Sequence, residues 1–136
     1  MSLSARLHIS GHRKEQKGIR IIECDFEFLQ SVDSTTGQIS GRMKGGKINV
    51  LLDIENDGEL LHWMFNNVVK NGKIIFIGPP EGKSVKTIEF ENAYLIYYKE
   101  VFKEVSSVTI RITISAQKMI IAGEQMENSW TGFKNY

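Results

Sequence analysis

Along the run VTIRITISA at 108–116, Val108, Ile110, Ile112, Ile114 and Ala116 alternate with Thr109, Arg111, Thr113 and Ser115. Successive side chains of a strand point to opposite faces, so this run predicts a strand with one apolar and one polar face. The same period of two recurs along most of the chain. Leu3, Ala5, Leu7 and Ile9 predict a short first strand, followed by a polar, basic turn, GHRKEQKG, at 11–18. In IRIIECDFEFLQ the pattern puts Ile22, Cys24, Phe26 and Phe28 on one face and Glu23, Asp25 and Glu27 on the other. KINVLLDIE turns Ile48, Val50, Leu52 and Ile54 inward. KIIFIG is stopped by Pro79 and Pro80, EGKS turns, VKTIEFENAYLIYYKEVF reads as one long strand or a bent pair, and QKMIIAG ends the set.

Two stretches break this period. SVDSTTGQISG, from Ser31 to Gly41, is small, polar and punctuated by glycine, and is long for a plain hairpin connection. In NDGELLHWMFNNVV, Leu60, Leu61, Met64, Phe65 and Val68 recur at steps of three and four, which predicts an amphipathic helix over 58–69. Asn56 and Glu59 have capping spacing, and Asn71-Gly72 offers a stop. Leu60, Leu61, Met64 and Phe65 form its expected core face, which leaves Trp63 pointing to a rim or a neighbour. Many strands, one helix and no strand–helix alternation predict a mainly β fold, an antiparallel β-barrel or sandwich in one domain over 1–136.

Composition narrows the function classes. The 136 residues carry 17 basic against 16 acidic side chains, a net charge of +1. That balance gives no reason to expect nucleic acid or an anionic membrane as partner. No apolar run approaches the roughly 20 residues of a membrane span, and MSLSARLHIS lacks the layout of a secretory signal. Cys24 is the only cysteine, so no disulfide framework exists within the chain, in keeping with synthesis in a reducing cytoplasm.

Candidate chemistry is sparse. His8, His12 and His62 are scattered without metal-ligand spacing and read as surface or turn histidines, so no metal or cofactor is expected. Cys24 shares a face with Phe26 and Phe28 and reads as a small core residue, not a nucleophile. Glu23, Asp25 and Glu27 read as a solvated or cross-strand-paired acidic face. KGG at 44–46 and GPPEGKS at 78–84 lack phosphate-loop spacing. Tyr94, Tyr97 and Tyr98 near Lys99 and Lys103 invite a base-stacking reading, but Glu89, Glu91, Glu100 and Glu104 cancel the field such binding needs. No catalytic residue is assigned, and an enzyme reading has no positive support.

Read in order, EFLQSVDSTTGQISG, KINVLLDIE, GELLHWMF, GKIIFI, FENAYLIYYKEVF, ITISAQKMIIAG and ENSW resemble the Hcp (TssD) tube proteins of type VI secretion systems, in the Bacteroidetes version. The most specific pieces are Gln30, Asp33 and Gly37, the start of FENAYL, ISA, and Asn128 with Trp130. The chain departs from the pattern at Gln38 and Ile39, where a proline is expected soon after the loop glycine. The resemblance implies a β-barrel with one flanking helix that assembles as a hexameric ring. Such rings stack into the inner tube of a contractile injection machine, and the tube is expelled with effectors. It implies a contractile sheath, a spike and effector proteins as partners, besides further copies of the chain. It also implies a cytoplasmic protein before firing, secreted without a signal peptide, and neither bound to nucleic acid nor inserted in a membrane.

On this reading Gln30, Asp33, Ser34, Gly37, Ile39 and Gly41 belong to a loop that reaches a neighbouring subunit or the next ring. A mobile surface loop is the bland alternative. Thr109, Arg111, Thr113 and Ser115 would face the lumen or a subunit boundary, against plain solvent exposure. A phage-like or extracellular injection tail tube, and a monomeric ligand-binding barrel, are the rival functions.

Overall fold

The computed structural model describes residues 4–41, 45–54, 57–78, 83–104, 107–128 and 130. In chain order the elements are β1 (Ser4–Ile9), β2 (Ile19–Phe26), β3 (Lys47–Leu52), α1 (Gly58–Phe65), β4 (Lys70–Gly78), β5 (Lys83–Lys103), β6 (Ser107–Ile121) and β7 (Glu124–Glu127). Every strand pairing is antiparallel, in the order β3-β2-β1-β4-β5-β6-β7, and β3 also pairs with β6. That last pairing closes β1 to β6 into a barrel, which removes most of the sheet edges an open sheet would expose. β6 carries the closure: one side runs along β5, while the other meets β3 over Ile110–Ser115 and β7 over Lys118–Ile121.

Antiparallel strands alternate in direction, so the connections sort onto two ends of the barrel. The β1–β2 turn, the β3–β4 connection with α1, and the β5–β6 hairpin lie at one end, called here the helix end. The β2–β3 loop, the β4–β5 connection and the β6–β7 turn lie at the other, the loop end.

The barrel interior is filled by side chains. Ile48, Val50, Leu52, Ile74, Ile88, Ile110, Ile112 and Ile114 are fully buried, so the apolar face expected of VTIRITISA is core. These branched residues suit strands packed on one face. Where alternation fails, the backbone supplies the reason. In β2 a bulge at Ile22, between the pairs Ile21↔Leu52 and Glu23↔Leu51, inserts one residue. A bulge shifts the strand's phase by one. Ile19 and Ile21 are therefore buried and Ile22, expected inward, is exposed, while Cys24 and Phe26 still turn in part toward the core. Phe28, also expected inward, is 38% exposed and packs edge-on against the Phe26 ring at 6.1 Å between centroids.

β5 is one continuous strand of 21 residues. It bends at Asn92, whose φ of 52° is left-handed, and bulges again between Leu95 and Tyr97. Ile88 and Phe90 before the bend, and Ala93 and Leu95 after it, can thus all face the core.

The helix is shorter than its periodicity suggests. It spans Gly58–Phe65, with Asn66 as C-cap and Asn67 left-handed at φ 51°. Its N-cap is Asp57, whose carboxylate accepts the Leu60 N–H at 2.9 Å. The expected capping residue, Asn56, lies outside the described residues, as do Leu3, Pro79 and Pro80. Two turns bury Leu60 and Trp63, three apart on one face, and the Trp63 indole N–H donates to the Ala93 carbonyl at 3.0 Å. The expected core face is therefore corrected. Leu60 is inside, Leu61 and Met64 are half-buried, and Phe65 is 72% exposed while Trp63 takes its place. An indole fills more of the barrel mouth than a phenyl ring and can satisfy a strand carbonyl there.

Candidate functional site

The β2–β3 loop stands clear of the barrel and is exposed throughout Gln30–Gly41. It is nonetheless ordered by its own hydrogen bonds. Val32 and Ile39 form an isolated antiparallel bridge, and the Ser40 N–H donates to the Ser31 carbonyl at 2.9 Å. Asp33 Oδ1 accepts the N–H groups of Thr35 at 2.8 Å and Thr36 at 2.9 Å. Those backbone bonds, Thr36 first, hold the Asp33 carboxyl below its ordinary range. Gly37 sits at φ 76°, a conformation that favours glycine, and its N–H closes the turn onto the Asp33 carbonyl at 2.8 Å. Gln38 donates to Thr36 Oγ1 at 3.3 Å, so the chain turns here without the expected proline. Ser34 and Gly41 lie on the exposed surface of this hairpin-like arm.

What the arm presents is apolar. Leu29, Val32 and Ile39 are 62%, 58% and 63% exposed. Sequence reading singled out Ile39 but passed over Leu29 and Val32. Their signal was three large apolar residues in a segment otherwise built of small polar ones.

The polar face of β6 lies on the outside of the barrel wall. Arg111 donates to Glu23 Oε2 at 3.3 Å, and the Thr113 hydroxyl to Asn49 Oδ1 at 2.7 Å, while Asn49 donates in turn to Asp25 at 2.9 Å. Glu23 and Asp25 of the acidic face are thus paired across the sheet, while Glu27 lies exposed beyond the end of β2. Thr109 and Ser115 complete the face, half-exposed.

The strongest polar cluster is one the sequence concealed. His12, expected on a surface turn, is in a turn but buried, with Nε2 at 2.8 Å from Asp57 Oδ2. The Lys14 N–H donates to its Nδ1 at 3.0 Å, which assigns the ring proton to Nε2 and makes His12 the donor to Asp57. Arg13 adds an ion pair to Glu59 at 2.9 Å. His12, Asp57 and Glu59 could together offer three ligand atoms to a metal ion. Yet both His12 nitrogens are engaged, Asp57 Oδ1 caps the helix, and the Arg13 guanidinium lies 3.6 Å from Asp57. The donor set fits a latch between the β1–β2 turn and α1 better than a cation. His8 and His62 lie elsewhere, on β1 and α1. Cys24 is half-buried, and burial, then Asp25, pushes its thiol up to about 11. A thiol so raised is a poor nucleophile at neutral pH.

A closed antiparallel barrel with a side-chain-filled core, one helix over its mouth and a hydrogen-bonded projecting arm defines the class of the fold. The model of the family "Hemolysin coregulated protein Hcp (TssD)" matches residues 1–131, and the chain belongs to this family. No curated protein sequence gives a significant match. Among solved structures, Hcp1 from Flavobacterium johnsoniae is 26% identical with a TM-score of 0.78, over 92% of this chain and 99% of that one. Hcp1 from Salmonella typhimurium is 9% identical, TM-score 0.72, covering 93% and 92%. A type VI secretion system effector from Yersinia pestis is 14% identical, TM-score 0.69, covering 86% of each chain. As a family member the chain is a structural tube subunit of type VI secretion, a self-assembling component and not an enzyme.

Proposed function

We propose that the chain forms hexameric rings that stack into the inner tube of a contractile injection machine. In that role it is cytoplasmic before firing, surrounded by a contractile sheath, tipped by a spike and expelled with effector proteins. The family match along residues 1–131 carries this reading. The arm of Gln30, Asp33, Ser34, Gly37, Ile39 and Gly41 is its subunit or ring contact, since ordered apolar side chains held in water suit an interface. The wall bearing Thr109, Arg111, Thr113 and Ser115 is its lumen or subunit-boundary face, a reading supported by Arg111 and Thr113 being bonded within the sheet while the face stays half-exposed. The filled interior argues against a ligand-carrying barrel.

Light scattering coupled to size exclusion tests the proposal. A mass near six chains is expected at micromolar concentration. A mass near one chain across that range overturns it.

A further inference from the structure

Beyond β7 the chain follows a traceable path over the barrel wall. The Asn128 N–H donates to the Gln117 carbonyl at 2.7 Å, and its side-chain amide donates to the Ala116 carbonyl at 2.9 Å, so residue 128 still lies along β6. Two residues later the Trp130 ring packs on Tyr94 of β5, with 5.6 Å between centroids. β7 flanks β6 on the side away from β5, so within a few residues the side chains pass from one flank of β6 to the other. Ala93 and Leu95 are buried in the core, which puts the half-buried Tyr94 and Trp130 on the outer face.

Tyr94 is also one wall of a groove. Met64 and Asn67 of the α1 side and Tyr94, Leu95 and Ile96 of β5 line a space of about 520 Å³. The groove exists because β4 pairs with β5 only as far as Lys70↔Ala93. Past Ala93, among the described residues, β5 has a strand partner on the β6 side alone. A strand edge with Ile96 left 45% exposed is a surface that folded chains tend to cover.

The sequence that follows Trp130 is Thr-Gly-Phe-Lys-Asn-Tyr, residues 131–136. Phe133 is three residues on, a reach of up to about 10 Å in extended chain. That is about two strand spacings, enough to pass from Tyr94 into the groove beside it. None of the groove's lining side chains carries a charge at neutral pH, and a Met thioether beside Ile and Leu suits a phenyl ring.

We propose that this chain's own 131–136 segment docks in the α1–β5 groove, with Phe133 seated between Met64 and Ile96. The Trp130–Tyr94 contact is the point from which the segment enters. Both surfaces belong to one chain, so the docking stands apart from the tube reading.

Cross-linking within the chain tests it. In a Cys24→Ser background, Ile96→Cys and Phe133→Cys are placed together in one chain, and separately in two chains that are then mixed. Oxidation of the double variant is expected to give a linked 96–133 peptide at the mass of a single chain, and the mixture is expected to give none. A link between two chains means that the groove takes a second copy's segment, and overturns the proposal. Absence of any link overturns it as well. Methyl resonances of labelled methionines give a second reading with the groove unaltered. Phe133→Leu should move the Met64 resonance and leave those of Met119 and Met126 in place. An unmoved Met64 resonance overturns the proposal.

Discussion

The imidazole of His12 donates through Nε2 to Asp57 Oδ2 at 2.8 Å, joining two buried residues 45 positions apart. The other Asp57 oxygen accepts the Leu60 N–H at 2.9 Å, so one carboxylate both caps α1 and holds the β1–β2 turn. Removing it orphans a buried imidazole and a helix N-terminus together. Asp57→Ala is expected to cost about 2–4 kcal/mol, combining a lost cap with an unpaired buried group. Asp57→Asn keeps the Leu60 bond and costs less. Urea unfolding at fixed protein concentration reads the order Asp57→Ala, then Asp57→Asn, then the parent. Equal stability of Asp57→Ala and the parent would refute the latch.

Trp63 and Phe65, two positions apart on α1, should separate folding from assembly. Trp63 is buried and bonded to the Ala93 carbonyl at 3.0 Å, whereas Phe65 is 72% exposed. Trp63→Ala is expected to cost about 3–5 kcal/mol of folding stability, as for other large-to-small changes in a core. Phe65→Ser should change thermal stability little in the dissociated chain but raise the concentration needed for assembly. A large stability loss from Phe65→Ser in dissociated protein would contradict its exposed position.

The Asp33 turn should loosen in acid. Its carboxyl titrates below the ordinary carboxylate range because the ionised form accepts the Thr36 and Thr35 N–H groups. A depressed carboxyl contributes order that is complete above its unfolded value and is lost as pH falls through its folded value. Assembly through the arm should weaken across that acid window, with faster amide exchange at Thr35 and Thr36. Asp33→Asn retains an acceptor oxygen and is expected to keep the turn while removing this part of the pH dependence. An unaltered acid profile in Asp33→Asn would show that other groups set it.

The strand periods exposed the barrel because an alternating face is a direct consequence of burial on one side. Ile110, Ile112 and Ile114 were legible for that reason, and the polar loop was legible from its glycines and small residues. The errors fall where one residue resets the phase. The bulge at Ile22 and the left-handed Asn92 leave no mark in a pattern of apolar and polar letters. The exchange of Phe65 for Trp63 has a similar origin. A helix of 8 residues can bury a narrow stripe, and which stripe depends on the barrel mouth it plugs. His12 was opaque because its partner lies beyond β3, in another connection at the same end. The wider family was legible from the order of segments, but the apolar face of the arm needed exposures that only the folded chain supplies.

Cys24 gives a check on the β2 bulge itself. Without the bulge at Ile22 its phase would differ from that of Ile21, and its half-buried place opposite Val50 follows from the inserted residue. Burial holds the thiol protonated up to about 11, against an ordinary 9.0. The sign follows from proton counting. Between these values the unfolded thiol has lost its proton and the folded one has kept it, so the folded state binds more protons and stability falls as pH rises. The parent should therefore lose about 1–2 kcal/mol relative to Cys24→Ser across that window. Below it the difference between the two should be constant. Lysines and tyrosines titrate in the same range, but they are common to both proteins and cancel in the comparison. Alkylation by iodoacetamide should be slow at neutral pH and accelerate only as the thiol ionises. Rapid alkylation at neutral pH, or a parent-minus-serine difference that stays flat through the window, would place Cys24 on the solvent face and remove the bulge from β2.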